Sequence, residues 1–368
     1  MPLNPPRTPI QWAEAACDTM MNKFRAEDLP PAGRFHYHQG VFLLGMQRCW
    51  EQDKKRKYFE YIKAWVDSLI RPDGTILQYD PGQMDDIQPG ILLYELYDHT
   101  GDARYKRALD TLIGNLADFK HNPDGGLWHK ADLPHQMWLD GLFMGGPITA
   151  EYAARFGRPQ LFDRVALQAK LMYQHNLDPQ TGLLLHGWDE SRQAPWANRE
   201  TGRSPEVWGR ALGWYVTAMV DILDYLPISH PDRPVLLHIL KELVPRIVRC
   251  QDAIDGRWYQ VVDKGNRPDN WLENSCSCLF AYAVAKAARN GYLDRKYWAN
   301  ARKGYQGVIR SITVDENHNV RIGDVCIGTG IGDYGFYIKR PISVNDLHGV
   351  GAFLIMCDEM NQFRKLTV

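Results

Sequence analysis

The stretch Pro134-His135-Gln136-Met137-Trp138-Leu139-Asp140-Gly141-Leu142-Phe143-Met144-Gly145-Gly146-Pro147 sets one acidic side chain, Asp140, in apolar company. A carboxylate there loses hydration, so its charged form is disfavoured and its pKa is expected to rise. Such a group suits general acid catalysis near neutral pH. The same pattern also describes a helix with one polar residue on its exposed face, so the remaining candidates have to decide.

Asp85 and Asp86 stand in Gly82-Gln83-Met84-Asp85-Asp86-Ile87-Gln88-Pro89-Gly90, at the expected start of a helix. Either could serve the helix N-terminus as a cap or through its dipole, leaving the other to face a pocket beside Asp140. Two close carboxylates do not ionise together easily. Trp128-His129-Lys130 offers an aromatic face and two cationic groups, a set that suits a sugar acid and reads equally as ordinary loop residues. His186, in His186-Gly187-Trp188-Asp189, occupies the same place in the next long loop as His129 does in its own. It could bond a sugar hydroxyl, assist proton transfer or be structural. Ser204-Pro205-Glu206-Val207-Trp208-Gly209-Arg210-Ala211-Leu212-Gly213-Trp214-Tyr215 opens a further helix. Trp208 and Trp214 could stack on sugar faces while Arg210 grips a carboxylate; the competing reading is core packing with a surface arginine.

Helical periodicity dominates the elements that must position these residues. It predicts twelve helices, at about 9–25, 37–52, 55–70, 86–99, 103–119, 135–156, 159–176, 206–226, 234–251, 272–291, 295–311 and 344–360. Short connections alternate with long ones that carry a turn glycine, Gly74, Gly125, Gly182 or Gly256, followed by residues of high β-propensity. Each such loop predicts a short hairpin. The repeating unit is thus two helices plus a hairpin loop, and six units point to an all-α (α/α)6 barrel with long loops at one end. One domain is expected over residues 1–368, with the Pro-rich stretch 1–9 as a mobile arm.

Charge and composition narrow the class. Net charge is −1 with 45% hydrophobic and 24% charged residues, which argues against nucleic acid and anionic membranes as partners. The N-terminus shows no apolar secretory region, so a cytoplasmic location is expected. Seven cysteines in irregular spacing read as free thiols without a metal-ligand pattern. No GxSxG, HExxH, Walker A or Rossmann fingerprint occurs, and Gly328-Thr329-Gly330-Ile331-Gly332 reads as a loop. A carboxylate-based reaction on a saccharide is the reading that remains.

His135-Gln136-Met137-Trp138-Leu139-Asp140-Gly141, His186-Gly187-Trp188-Asp189, Trp208-Gly209-Arg210-Ala211-Leu212-Gly213-Trp214-Tyr215 and Asn345-Asp346-Leu347-His348-Gly349-Val350-Gly351-Ala352 resemble, in order and spacing, glycoside hydrolase family 105 and its unsaturated rhamnogalacturonyl hydrolases. Gly209 stands where the family motif has alanine, a change that should leave Trp208 and Arg210 in place. The resemblance implies an (α/α)6 barrel acting on a small oligosaccharide with a 4,5-unsaturated uronic acid at its non-reducing end. It implies that Asp140 protonates C4 and later deprotonates the water added at C5, a departure from the two-carboxylate glycosidase scheme. Asp85 would hold hydroxyls and help keep Asp140 protonated, and His186 would assist near the double bond. Tyr37, His129, Lys130, Trp208, Arg210 and Trp214 would bind substrate. No metal or organic cofactor is implied, and a monomer is expected. Alternatives are an unsaturated glucuronyl hydrolase on the same barrel, an (α/α)6 sugar epimerase relying on His186 and His348, and a carbohydrate-binding protein without activity.

Overall fold

The computed structural model describes residues 7–367, with side chains described through residue 363. Its helices are α1 (Pro9–Lys23), α2 (Tyr37–Asp53), α3 (Arg56–Leu69), α4 (Leu93–Thr100), α5 (Ala103–Ala117), α6 (Asp140–Arg155) and α7 (Gln160–Asn176), followed by α8 (Gly209–Tyr225), α9 (Arg233–Arg249), α10 (Asn274–Arg289), α11 (Trp298–Ser311), the short α12 (Tyr334–Ile338) and α13 (Leu347–Thr367). Two rings arise because two kinds of helix alternate along the chain. α3 buries one stripe only, Tyr58, Tyr61, Ile62, Trp65, Val66 and Leu69, the pattern of a helix with one wet face. α6 and α8 are buried on nearly every side and must therefore sit inside. The inner ring runs from α2 to the 3₁₀ segment Gln88–Leu92 that leads into α4, then to α6, α8, α10 and α13; each packs on the next, and α13 returns to α2. That last contact closes an (α/α)6 barrel and distinguishes it from an open solenoid.

Four short antiparallel pairs decorate the loops: β1 (Gln136–Trp138) with β2 (Gly187–Asp189), β3 (Trp258–Tyr259) with β4 (Leu272–Glu273), β5 (Thr313–Val314) with β6 (Val320–Arg321), and β7 (Val325–Cys326) with β8 (Ile342–Ser343). The turn glycines Gly74, Gly125, Gly182 and Gly256 all adopt positive φ, between 70° and 92°. The hairpins after the first three shrink to single bridges, Ile70 with Ile76, His121 with Leu127 and Leu177 with Leu184. After the fourth, Trp258 pairs with Glu273 instead.

Several expected boundaries move. The helix expected over 135–156 begins at Asp140, because Gln136–Trp138 is claimed by β2. The one expected over 86–99 is broken into 3₁₀ turns by Pro89 and becomes regular at Leu93. The arm expected over 1–9 falls partly outside the described residues; within them, Thr8 caps α1 with a capping box and Pro9 is its first residue.

Gly209 also finds a reason. A Cβ there would lie 2.8 Å from Cys276 Sγ, 3.0 Å from Cys276 Cβ and 3.1 Å from the Tyr259 carbonyl. The glycine lets the start of α8 approach α10. Gly209→Ala is therefore expected to lower stability by roughly 1–3 kcal/mol, read from the urea midpoint, with part of the loss recovered by adding Cys276→Ala. An unchanged midpoint would contradict this close approach.

Candidate active site

Asp140 is the first residue of α6, and the β1–β2 pair fixes what lies beside it. The ladder pairs Trp138 with Gly187 and continues as Leu139 N–H donating to the His186 carbonyl at 3.0 Å. One residue further, His186 Nε2 stands 3.1 Å from Asp140 Oδ2. The other ring nitrogen, Nδ1, is 2.7 Å from the Tyr337 hydroxyl. His186 is completely buried, with the Trp208 ring against it at 4.7 Å. Its orientation is therefore fixed on three sides.

Asp85 is delivered by a second backbone pairing. Met84 N–H donates to the His129 carbonyl, Ala131 N–H donates to the Gly82 carbonyl, and Gln83 bridges Lys130. This brings Lys130 Nζ to 2.9 Å and His129 Nε2 to 3.5 Å from the Asp85 carboxylate. The neighbouring Asp86 faces away. It meets His36 Nδ1 at 2.6 Å and accepts from the Asp80 N–H at 3.0 Å, so it holds the loop and the entry to α2 together and caps no helix.

Asp85 and Asp140 line one cavity of about 300 Å³ with His36, Tyr37, His38, His129, Lys130, Trp138, Met144 and the segment Gly328-Thr329-Gly330. That volume is at the lower end of small-ligand sites. Trp138 stacks on His129 with ring centroids 4.6 Å apart.

The electrostatics differ from the expectation for Asp140. Burial does push its pKa up, but His186, by charge and hydrogen bond, and then His129 outweigh it, so the carboxyl lies below its ordinary value. Its place at a helix N-terminus acts in the same direction. The apolar neighbours in sequence are real, but the decisive partner arrives from 46 residues away. For Asp85 burial is again overcome, here by His129, Lys130 and His36, and the pKa falls to about 2. Burial lowers the pKa of His129 despite Asp85 and raises that of Tyr37.

The model of the family described as Glycosyl Hydrolase Family 88 matches residues 12–364. The chain belongs to this family. A solved family 105 glycoside hydrolase from C. acetobutylicum ATCC 824 is 34% identical, with TM-score 0.92 over 95% of this chain and 99% of that one. This bears out the resemblance to family 105. "Unsaturated rhamnogalacturonyl hydrolase YesR" of Bacillus subtilis (strain 168) is 27% identical over 301 residues, 79% of each chain. "Unsaturated 3S-rhamnoglycuronyl hydrolase" of Formosa agariphila is 25% identical over 285 residues, 73% of this chain and 72% of that one.

In this glycoside hydrolase, six of the nine expected site residues meet around the cavity: Asp140, Asp85, His129, Lys130 and Tyr37 line it and His186 backs Asp140. Three do not reach it. Trp208 is 1% exposed, stacks on Tyr337 and donates its Nε1–H to Gln260 at 3.1 Å. Trp214 is buried against Phe143, with centroids 4.4 Å apart. Arg210, also buried, donates to the carbonyls of Cys326 at 2.6 Å and Ile327 at 2.7 Å. Its guanidinium is used up in holding the strand that leads into Gly328-Thr329-Gly330, where Arg340 takes over by donating to the Gly328 carbonyl and to Thr329 Oγ1. These tryptophans and this arginine shape the wall from behind. The Gly-Thr-Gly loop, His36 and His38 are lining residues that sequence reasoning assigned no role, although His36-Tyr37-His38 is a visible cluster beside a helix start, and Trp138 and Met144 entered it only as apolar neighbours of Asp140.

Asp85 generates a pH prediction. Its depressed pKa means stabilisation that is full above the ordinary value of 3.8 and is lost as pH falls toward about 2. Asp85→Asn is expected to lower stability at neutral pH by on the order of 2 kcal/mol. The difference from wild type should shrink as pH falls from about 5 to about 2. A gap in denaturation midpoint that stays constant over this range would contradict the ion-pair assignment.

Proposed function

We propose that this family 88/105 glycoside hydrolase hydrates the C4=C5 double bond of an unsaturated galacturonic acid at the non-reducing end of a rhamnogalacturonan disaccharide, releasing rhamnose. The observation that carries this reading is the buried Asp140–His186 pair on the wall of a disaccharide-sized cavity. The relative named as an unsaturated rhamnogalacturonyl hydrolase supports the choice of sugar.

In the resting protein the pKa of the Asp140 carboxyl is held below its ordinary value by His186, so it must take up a proton before it can act as an acid. A substrate carboxylate that enters the cavity and expels water disfavours a second negative charge, which raises the pKa of Asp140, and a proton is taken up from solvent as the substrate binds. Asp140 then gives this proton to C4. Positive charge develops at C5 and is shared with the ring oxygen. A water molecule adds to C5 and returns a proton to the Asp140 carboxylate. The hemiketal at C5 opens to a ketone, leaving C1 with a hydroxyl and the glycosidic oxygen. That hemiacetal collapses to an aldehyde and expels rhamnose.

Asp85, anchored by Lys130 and His129, supplies carboxylate oxygens to substrate hydroxyls. Trp138 offers its ring to a sugar face from the same lining, while Tyr37 donates its hydroxyl proton. The family member named for 3S-rhamnoglycuronyl substrates supports a second reading, an unsaturated glucuronyl hydrolase working through the same pair.

The test is incubation with unsaturated galacturonyl-rhamnose, following ultraviolet absorbance of the double bond and free rhamnose. Both are expected to change, faster than with an unsaturated chondroitin disaccharide. The reverse order would favour the glucuronyl reading. Asp140→Asn is expected to fold normally and lose activity by about 10²–10⁴-fold or more. Full activity in that variant would sink the mechanism.

A further inference from the structure

Three side chains on the Gly328 side of the cavity are not used by this reaction. His38 stands in the first turn of α2, Asp346 just before α13 and His348 in its first turn. Each offers one ligand atom, and the three atoms lie within 4.8 Å of one another. His38 is itself part of the cavity lining.

The tautomer of His348 gives this cluster its meaning. The ring is completely buried, and its Nε2 is 3.0 Å from the Cys326 carbonyl oxygen. A carbonyl can only accept, so Nε2 carries the hydrogen and a neutral ring presents a lone pair at Nδ1. Nδ1 stands 2.8 Å from Asp346 Oδ1 but makes no hydrogen bond. A lone pair facing a carboxylate at this distance is repulsive unless a cation lies between them. His38 Nδ1 is likewise buried without a hydrogen-bond partner. An imidazole that gives its distal N–H to a backbone carbonyl and turns its bare nitrogen toward a carboxylate and a second imidazole is the arrangement that orients metal ligands.

The donor set narrows the ion. Two imidazoles and one carboxylate suit zinc and its first-row neighbours, whereas magnesium and calcium take oxygen ligands. Metal–ligand bonds of about 2.0–2.2 Å place ligand atoms roughly 3–4 Å apart, a spacing this cluster approaches without backbone movement. The neighbouring guanidinium of Arg210 donates to the Cys326 and Ile327 carbonyls and lies 3.8 Å from Glu273, and Asp346 supplies the negative charge of the cluster. We propose that His38, Asp346 and His348 bind one divalent transition-metal ion of the zinc class, whose remaining coordination faces the cavity and can take an oxygen ligand. Metal binding does not depend on which sugar the enzyme accepts.

The experiment is a Zn²⁺ titration of the full-length protein after chelator treatment, by calorimetry, with bound metal counted by elemental analysis. One equivalent per chain, a raised Tm and no response to Mg²⁺ are expected. His38→Gln and His348→Gln should each weaken binding by at least about tenfold. The second of these replaces a completely buried ring, so His38→Gln, at a less buried position, is the deciding variant if His348→Gln does not fold. Absence of saturable Zn²⁺ binding to the wild type overturns the proposal. Equal binding by folded His38→Gln also overturns it, by placing the ion elsewhere.

Discussion

The contact between His186 Nε2 and Asp140 Oδ2, 3.1 Å long, is the constraint around which the rest of the site is arranged. Both groups are buried, and a buried carboxylate is costly unless it is paired. The pair is kept in register by backbone, through the β1–β2 ladder and the Leu139 N–H, so its geometry does not depend on long flexible side chains. Behind it, Tyr337 fixes the second ring nitrogen and Trp208 the ring plane. Tyr337 is itself buried against Trp208. Residues that never touch the cavity thus decide how the Asp140 carboxylate stands in it.

A closed double ring makes such an arrangement possible. Because α13 packs on both α10 and α2, the loops at the mouth come from distant parts of the chain yet converge. Asp85 follows α3, His129 and Lys130 follow α5, Asp140 opens α6, His186 follows α7, and Gly328–Gly330 precede α12. Three of these loops are joined by two backbone pairings, 82–84 with 129–131 and 136–138 with 187–189. The first places Asp85 beside Lys130 and His129, the second Asp140 beside His186. The site accordingly gives each carboxylate its own partner, which differs from a pair of acids sharing a proton.

Much of this was legible in the chain. Period and turn chemistry gave the two-helix unit, and the positive φ of Gly74, Gly125, Gly182 and Gly256 is what those turns require. The parallel placement of His129 and His186 in successive loops has a counterpart in the structure: one meets Asp85 and the other Asp140. Burial of the tryptophans and Arg210 was not legible, because an aromatic near a helix start serves a cavity or a core with the same local pattern. Only the contacts of Trp214 with Phe143 and of Arg210 with the Cys326 and Ile327 carbonyls decide between them. The direction of the Asp140 pKa was missed for a related reason. Desolvation can be read from neighbours in sequence, whereas the compensating imidazole comes from another repeat. Met137 and Leu139 alternate as a strand does and were absorbed into a helical period that begins only at Asp140.

The proposed reaction couples proton uptake by Asp140 on substrate binding to hydration of a double bond and only then to loss of the glycosidic bond. The order of these events is the most direct test. Absorbance of the unsaturated ring and free rhamnose should be followed together in the wild-type enzyme with unsaturated galacturonyl-rhamnose, by rapid quench. The account predicts that absorbance is lost with no lag and that rhamnose never runs ahead of it. Rhamnose released before the absorbance falls would mean direct cleavage at the anomeric carbon and would contradict the role assigned to Asp140.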